Sequence, residues 1–177
     1  VHRLVGSEMC IRDRGELNAG WTIAKKLLQH ERKFISNFGL AAGMGSKKDV
    51  VSLAKKHFGE DEGKISNPIF RSKVIDHKMK EHAFGLTLQR AADEGGKASA
   101  VASMFKYYGT EHNKRRHELM VAASGVNGLA WDGNEFDDSE KNLTRAWLRT
   151  KGNSIEGGTS EVQLNVISKR VLELPSG

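Results

Sequence analysis

PIFRSKVIDHKMKEHAFGLTLQRAADEGGKASAVASMFKYYGTEHNKRRHELMVAAS, residues 68–124, is the stretch on which the fold turns. It opens on Asn67-Pro68, a helix-start pair with proline at the first helical position. No second proline follows within it, and the whole chain has only two, Pro68 and Pro175. Because proline is the strongest helix breaker, the one interruption here is Gly95-Gly96. The spacing therefore predicts a helix from Pro68 to about Asp93 and another from about Ala98 to Ser124. Val101, Met104, Phe105, Tyr108 and Leu119 are the core candidates of the second.

The flanks read the same way. Residues 18–38 carry Ala24, Leu27, Leu28, Phe34, Ile35 and Phe38 at the three-and-four spacing of one helical face. Ser46 is placed to cap a short helix that reaches Phe58 and stops at Gly59, and an acidic, glycine-containing loop is expected over 59–66. After Ser124, turn residues cluster (Gly125, Asn127, Gly128, Asp132, Gly133, Asn134). Two further helices are expected over 138–150 and 159–173, with Ser160 and Gln163 at capping-box spacing. Period-two alternation is nearly absent, so strands are not expected. Long helices on short loops must bury their stripes against one another. The fold class is all-α, an up-and-down, four-helix-bundle-like domain.

The chain has 177 residues, a net charge of +6, 38% hydrophobic and 28% charged residues, which is one globular domain's worth of sequence. A single cysteine, Cys10, excludes a disulfide framework and a multi-cysteine zinc site. No apolar run approaches the roughly 20 residues a bilayer requires, and a cytoplasmic location is the expectation. Residues 1–14 hold no sustained periodicity and read as a tail, non-native or disordered, outside a domain spanning 15–177. Because the first residue is Val1, the chain is expected to be a piece of a longer protein.

One residue breaks the pattern. Counting about 100° per residue from Ala24 puts Glu31 at about 340°, inside the apolar arc running from about 280° to about 40°. Acids are seldom buried unless paired or used. On the wheel alone, a partnered structural acid and a carboxylate made more basic by burial are both open. Arg32 lies about 100° further round, as a positioning residue or an exposed charge. A second local signal is Gly157-Gly158-Thr159-Ser160-Glu161 before the last helix. Its glycines let backbone approach a ligand, and its helix start offers free N–H groups. Taken alone it could be an ordinary turn.

Together these segments resemble the C-terminal helical domain of the acyl-CoA dehydrogenase family. Ile155-Glu156-Gly157-Gly158-Thr159-Ser160-Glu161-Val162-Gln163, running on to Arg170-Val171-Leu172 and Leu174-Pro175, is similar to its C-terminal signature. Gly15-Glu16, Asn18, Gly20-Trp21 and Leu28-Gln29-His30-Glu31-Arg32 resemble the domain's opening. The nearest subgroup is the bacterial pimeloyl-CoA dehydrogenase large-subunit type. The resemblance implies FAD-dependent α,β-dehydrogenation of an acyl-CoA thioester, in fatty acid metabolism. A glutamate takes the α proton, and the flavin receives hydride from the β carbon. It further implies electron-transfer flavoprotein or a similar electron acceptor, and a homo- or hetero-oligomer. Many members carry the base just before the Gly-Thr of the signature, where this chain has Gly157. Others carry it in a Glu-Arg pair matching Glu31-Arg32, which makes Glu31 the expected base and Glu156 its competitor. The resemblance implies that Arg32 and the Gly157 N–H serve substrate, and that Thr159, Ser160 and Glu161 touch FAD.

The chain departs from the family at two places. An Arg-x-x-Phe-Gly motif, whose arginine meets the FAD pyrophosphate, is matched by Lys55-Lys56-His57-Phe58-Gly59. A Gln-x-x-Gly-Gly turn is matched by Ala122-Ala123-Ser124-Gly125-Val126, without the glutamine. The family's preceding helical and β-barrel domains are missing from this chain, so the fragment alone is expected to be inactive. Rival readings are a non-catalytic assembly subunit of such a complex and a basic helical nucleic-acid-binding domain, suggested by Lys114-Arg115-Arg116. Acids interspersed along the chain speak against nucleic acid. A di-iron bundle is disfavoured because Glu-x-x-His occurs in no register, so no metal is expected.

Overall fold

The computed structural model describes residues 16–28, 30–31, 49–93 and 99–175. Helix α1 covers residues 20–28 and continues at 30–31. It is followed by α2 (Val50–Phe58), α3 (Pro68–Asp93), α4 (Ser99–Ala123), α5 (Asp138–Asn153) and α6 (Ser160–Arg170). The protein is all-α, as the proline spacing implied. Helix α4 is its axis, with α2, α3, α5 and α6 all packed against it. Among the described residues no helix is long and apolar enough to cross a membrane.

Local chemistry sets the helix ends. The Asn67 side chain accepts from the Phe70 N–H at 2.9 Å and so starts α3. Gly59, at φ +82°, ends α2 in a conformation that side chains resist. Asp137 and Glu140 form a reciprocal capping box at the start of α5, with bonds of 2.8 and 3.0 Å. The expected loop at 59–66 is instead a small hairpin, β1 (Glu60–Asp61) against β2 (Lys64–Ile65). Glu62 and Gly63, at φ 45° and 77°, supply the two positive-φ residues that a tight two-residue hairpin turn requires. Strands this short cannot display a period of two, which is why the sequence hid them.

The apolar core is Val50 and Ala54 of α2, Ile65 of the hairpin, Phe70 and Val74 of α3, Leu119, Met120 and Ala123 of α4, and Leu143 of α5. It lies against the C-terminal half of α4. Of the core candidates proposed for that helix, only Leu119 is fully buried. Val101, Met104 and Phe105 are half-buried, and Tyr108 is exposed. In the N-terminal half of α4 the deeply packed stripe is polar: Ser103, Lys106 and Thr110 are buried, followed at the same spacing by half-buried Asn113 and His117, then by buried Met120 and Ser124 in the other half. Residues 1–14, Arg32, Phe34, Ile35, Phe38, Ser46 and Gly95-Gly96 lie outside the described residues.

Candidate functional site

The connection between α5 and α6 carries the signature turn. Gly157 and Gly158 hold φ values of 64° and 99°, a left-handed pair open to glycine at little cost. Two buried side chains grip it from beneath. Lys106 of α4, only 1% exposed, donates from Nζ to the Gly158 carbonyl at 2.6 Å. Gln163 of α6, also 1% exposed, donates from Nε2 to the Gly157 carbonyl at 2.9 Å. Burial pushes the Lys106 ammonium below the usual lysine range, and the carboxylates of Glu111, Glu156 and Glu161 push back.

The cap of α6 differs from the expected Ser160–Gln163 pair. Thr159 is the N-cap, accepting from the Val162 N–H at 3.3 Å. Ser160 is the first helical residue, and its hydroxyl donates instead to Glu111 of α4 at 3.1 Å. Lys114 holds that same carboxylate at 3.0 and 3.1 Å. Glu161 is exposed, and its carboxyl is held below the ordinary value by its own N–H and then by the Thr159 hydroxyl. The Ser160 N–H reaches the Ser154 carbonyl at 3.0 Å. The N–H groups of Gly157 and Thr159 meet no acceptor among the described residues.

Gly157, Thr159, Ser160 and Glu161 are thus gathered at one turn. Glu31 lies on α1, a separate element, and is exposed. So are Leu27 and Leu28 on the same arc, at 67% and 44%, so the α1 face bearing Glu31 has no cover among the described residues. Glu156, the competing acid, is paired with Arg149 at 2.8 Å and reached by Asn153 at 3.4 Å. Lys55, standing where a pyrophosphate-binding arginine was sought, is paired with Glu60 at 3.2 Å. An open groove of about 470 Å³ between α2, the hairpin and α3 is lined by Val51, Ile65, Val74 and Met79, and by none of the signature residues.

A second polar cluster sits between α3 and α4. The rings of His77 and His112 stack at 4.1 Å with only 7° between planes, and Glu81 lies close by. The three ligand atoms fall within 4.8 Å of one another. Imidazole lone pairs lie in the ring plane, so two parallel rings do not converge on one ion as tetrahedral ligation demands. Glu81 is moreover engaged by Lys78 at 2.8 Å, and Lys78 also meets Asp49 at 3.0 Å. The cluster is therefore read as packing rather than as a metal centre. Both nitrogens of His77 and Nε2 of His112 are buried without a partner. Burial pushes His77 down to about 4 and His112 below its ordinary value.

Lys106 carries no signal in the apolar periodicity of α4. Its signal was the run Ser103, Lys106, Thr110, Asn113, His117, a polar stripe at helical spacing.

The comparisons with known proteins agree with this fold. Residues 18–172 match the family model described as "Acyl-CoA dehydrogenase, C-terminal domain". The chain is 26% identical over 157 residues to the acyl-CoA dehydrogenase IpdE1 of Mycobacterium tuberculosis, covering 88% of this chain and 38% of that protein. It is 25% identical over 163 residues to IpdE1 of Mycolicibacterium smegmatis, covering 91% and 38%. The chain thus spans 38% of the length of these relatives. Among solved structures it resembles the Tcur3481-Tcur3483 steroid ACAD G363A variant, with a TM-score of 0.70 at 21% identity over 92% of this chain and 42% of that one. It also resembles the ChsE4-ChsE5 complex from Mycobacterium tuberculosis, with a TM-score of 0.66 at 21% identity and the same coverage. This helical chain, whose last described helix starts at a clamped Gly-Gly turn and which is matched from residue 18 to residue 172, belongs to the acyl-CoA dehydrogenase family as its C-terminal domain.

Proposed function

We propose that the chain is the C-terminal part of a cytoplasmic, FAD-dependent acyl-CoA dehydrogenase that introduces an α,β double bond into an acyl-CoA thioester. The observation that carries this reading is the Gly157–Thr159 turn, where the Gly157 and Thr159 N–H groups meet no acceptor among the described residues while the Gly157 and Gly158 carbonyls are held by Gln163 and Lys106. Such donors suit a carbonyl that gains negative charge as its α proton leaves. FAD, when bound, supplies the two-electron acceptor for hydride from the β carbon. The turn's open N–H groups fit an acceptor on the cofactor and the exposed Glu161 carboxylate fits a donor on it, and Thr159, Ser160 and Glu161 are the residues that would hold it. Lys55 would give its pyrophosphate a point charge rather than a fork, once freed from Glu60.

Glu31 is the base in this reading. It takes the α proton onto a carboxylate oxygen, on a helix face that the missing parts of the protein would cover and dry. Arg32 orients the acyl-CoA beside it. The Gly157 N–H polarises the thioester oxygen, which makes the α carbon acid enough to lose that proton. Electrons then pass to electron-transfer flavoprotein or a similar acceptor, and the protein works as a homo- or hetero-oligomer.

In the full-length protein, Glu31→Gln is expected to lower turnover by about 100- to 10,000-fold, while the bound-flavin absorption spectrum is unchanged. Normal turnover in that variant, with loss in Glu156→Gln, would reassign the base. A second reading is a non-catalytic assembly subunit, favoured by glycine at the usual base position and by the uncovered α1 face. It predicts a flavin-poor full-length protein in which neither substitution changes anything.

A further inference from the structure

Helix starts usually suit anions, and the start of α6 does not. A helix leaves four N–H groups without intrahelical partners at its start, and several such donors together hold a phosphate. In α6 three of the four are spent inside the domain. The Ser160 N–H goes to the Ser154 carbonyl at 3.0 Å, the Glu161 N–H to its own carboxylate, and the Val162 N–H to the Thr159 hydroxyl at 3.3 Å. The free N–H groups expected of this helix start thus reduce to that of Thr159. Both hydroxyl protons are spent as well. Ser160 donates to the Glu111 carboxylate at 3.1 Å, and the Thr159 hydroxyl holds the Glu161 carboxylate. A carboxylate only accepts, so each hydroxyl must supply the proton. Lys114 fixes Glu111 in turn, at 3.0 and 3.1 Å. What the first residues of α6 keep is lone pairs, on the Ser160 oxygen and on the exposed Glu161 carboxylate. The pyrophosphate of FAD is anionic and offers only acceptors, whereas its ribityl chain and ribose are uncharged and carry O–H donors.

We propose that Ser160 Oγ and the Glu161 carboxylate accept from hydroxyl groups of an uncharged part of FAD, its ribityl chain or ribose, and that Glu111 is the positioning residue that keeps Ser160 an acceptor. The assignment deepens the acyl-CoA dehydrogenase reading and rests on it. Glu111 does not touch the cofactor and acts through the Ser160 hydroxyl. Without a carboxylate at 111 the Ser160 proton is released, and it competes with a ligand O–H for the same place. The pyrophosphate is left to donors elsewhere in the protein.

The test measures FAD binding to the full-length apoprotein by quenching of flavin fluorescence. The variants are Glu161→Gln, Ser160→Ala, Glu111→Met, Glu111→Gln and the Ser160→Ala/Glu111→Met pair. Glu161→Gln exchanges a charged acceptor for a neutral one, so the FAD dissociation constant should rise about 3- to 10-fold. A phosphate at this place would instead be relieved of repulsion, and a lower constant in Glu161→Gln overturns the proposal. Ser160→Ala and Glu111→Met should each raise the constant by about 3- to 10-fold. The double variant should bind no worse than Ser160→Ala alone, because Glu111 acts through that oxygen. Glu111→Gln, which keeps an acceptor oxygen, should recover most of the affinity. Additive losses, with no recovery in Glu111→Gln, mark a merely structural contact and overturn the role of Glu111. Should Glu111→Met fail to fold, Ser160→Ala and Glu161→Gln decide the subsite on their own. Riboflavin and adenosine, both free of phosphate, serve as competitors that tell the ribityl chain from the ribose. The weakening in Glu161→Gln should reappear with one of them, and its absence from both overturns the proposal. If the wild-type apoprotein takes up no FAD, the dehydrogenase reading itself fails. If it binds FAD and no substitution moves the constant, only this assignment falls.

Discussion

At Gly158 a Cβ would lie 2.6 Å from Gln163 Nε2, and the backbone is already at φ +99°. Alanine there meets both a conformational penalty and the displacement of one clamp. Gly158→Ala is expected to cost about 1–3 kcal/mol in unfolding free energy, read from the denaturant midpoint. Turnover should fall as well, because Gln163 can no longer hold the Gly157 carbonyl. The same residue-level logic separates the two acids near the site. Glu156 was a competitor for the base on the strength of one position in the chain, and its side chain is tied to Arg149 at 2.8 Å. Glu31 was singled out by its angle on a helical wheel, a quantity the sequence does contain. What the sequence does not contain is the cover over that angle.

At the scale of elements, helix ends were mostly legible because their chemistry is local. Asp137 and Glu140 close a full capping box at α5. Asp137→Ala should destabilise the domain by about 1 kcal/mol, seen as a lower midpoint in urea with an unchanged slope. The cap of α6 is Thr159 rather than the expected Ser160, because both hydroxyls are suitable caps and tertiary contact with Glu111 decides which is free. The α3–α4 interface holds the stacked His77 and His112, flanked by Glu81, Lys78 and Arg116. His77 is held at about 4 in the fold, against 6.5 for an ordinary imidazole, and His112 is also lowered. Between those values the unfolded chain binds more protons than the folded one, so stability falls as pH drops from 6.5 toward 4. The loss at His77 is on the order of 3 kcal/mol. Melting temperature followed across that window should drop steeply in wild type and less so in His77→Phe, which keeps a ring in the stack and cannot take up a proton.

At the scale of the molecule, the domain is thinly cored and broadly apolar outside. Ile69, Ile75, Met79 and Leu86 of α3 are 72%, 52%, 68% and 55% exposed, and Leu27 and Leu28 of α1 are uncovered as well. Ile75, Met79 and Leu86 share one face of α3, and exposed apolar faces of this kind are usually covered by something else. The chain spans 38% of its relatives' length, so the isolated 177 residues should melt below the full-length protein and bind a hydrophobic dye more strongly. Equal melting temperatures by calorimetry would show that these faces are naturally bare.

The sequence by itself determined the class of fold, the helix limits around Pro68 and Gly59, and the family, through a signature whose residues are consecutive. All of these depend on neighbours a few positions apart, and short-range patterns survive in a linear string. Only the tertiary structure decided that polar Ser103 and Lys106 are the most deeply buried residues of α4, that a hairpin closes at Glu62-Gly63, and that Lys106 reaches a carbonyl 52 positions away. A buried ammonium is tolerated only where a partner waits for it, and that partner is supplied by folding, not by spacing.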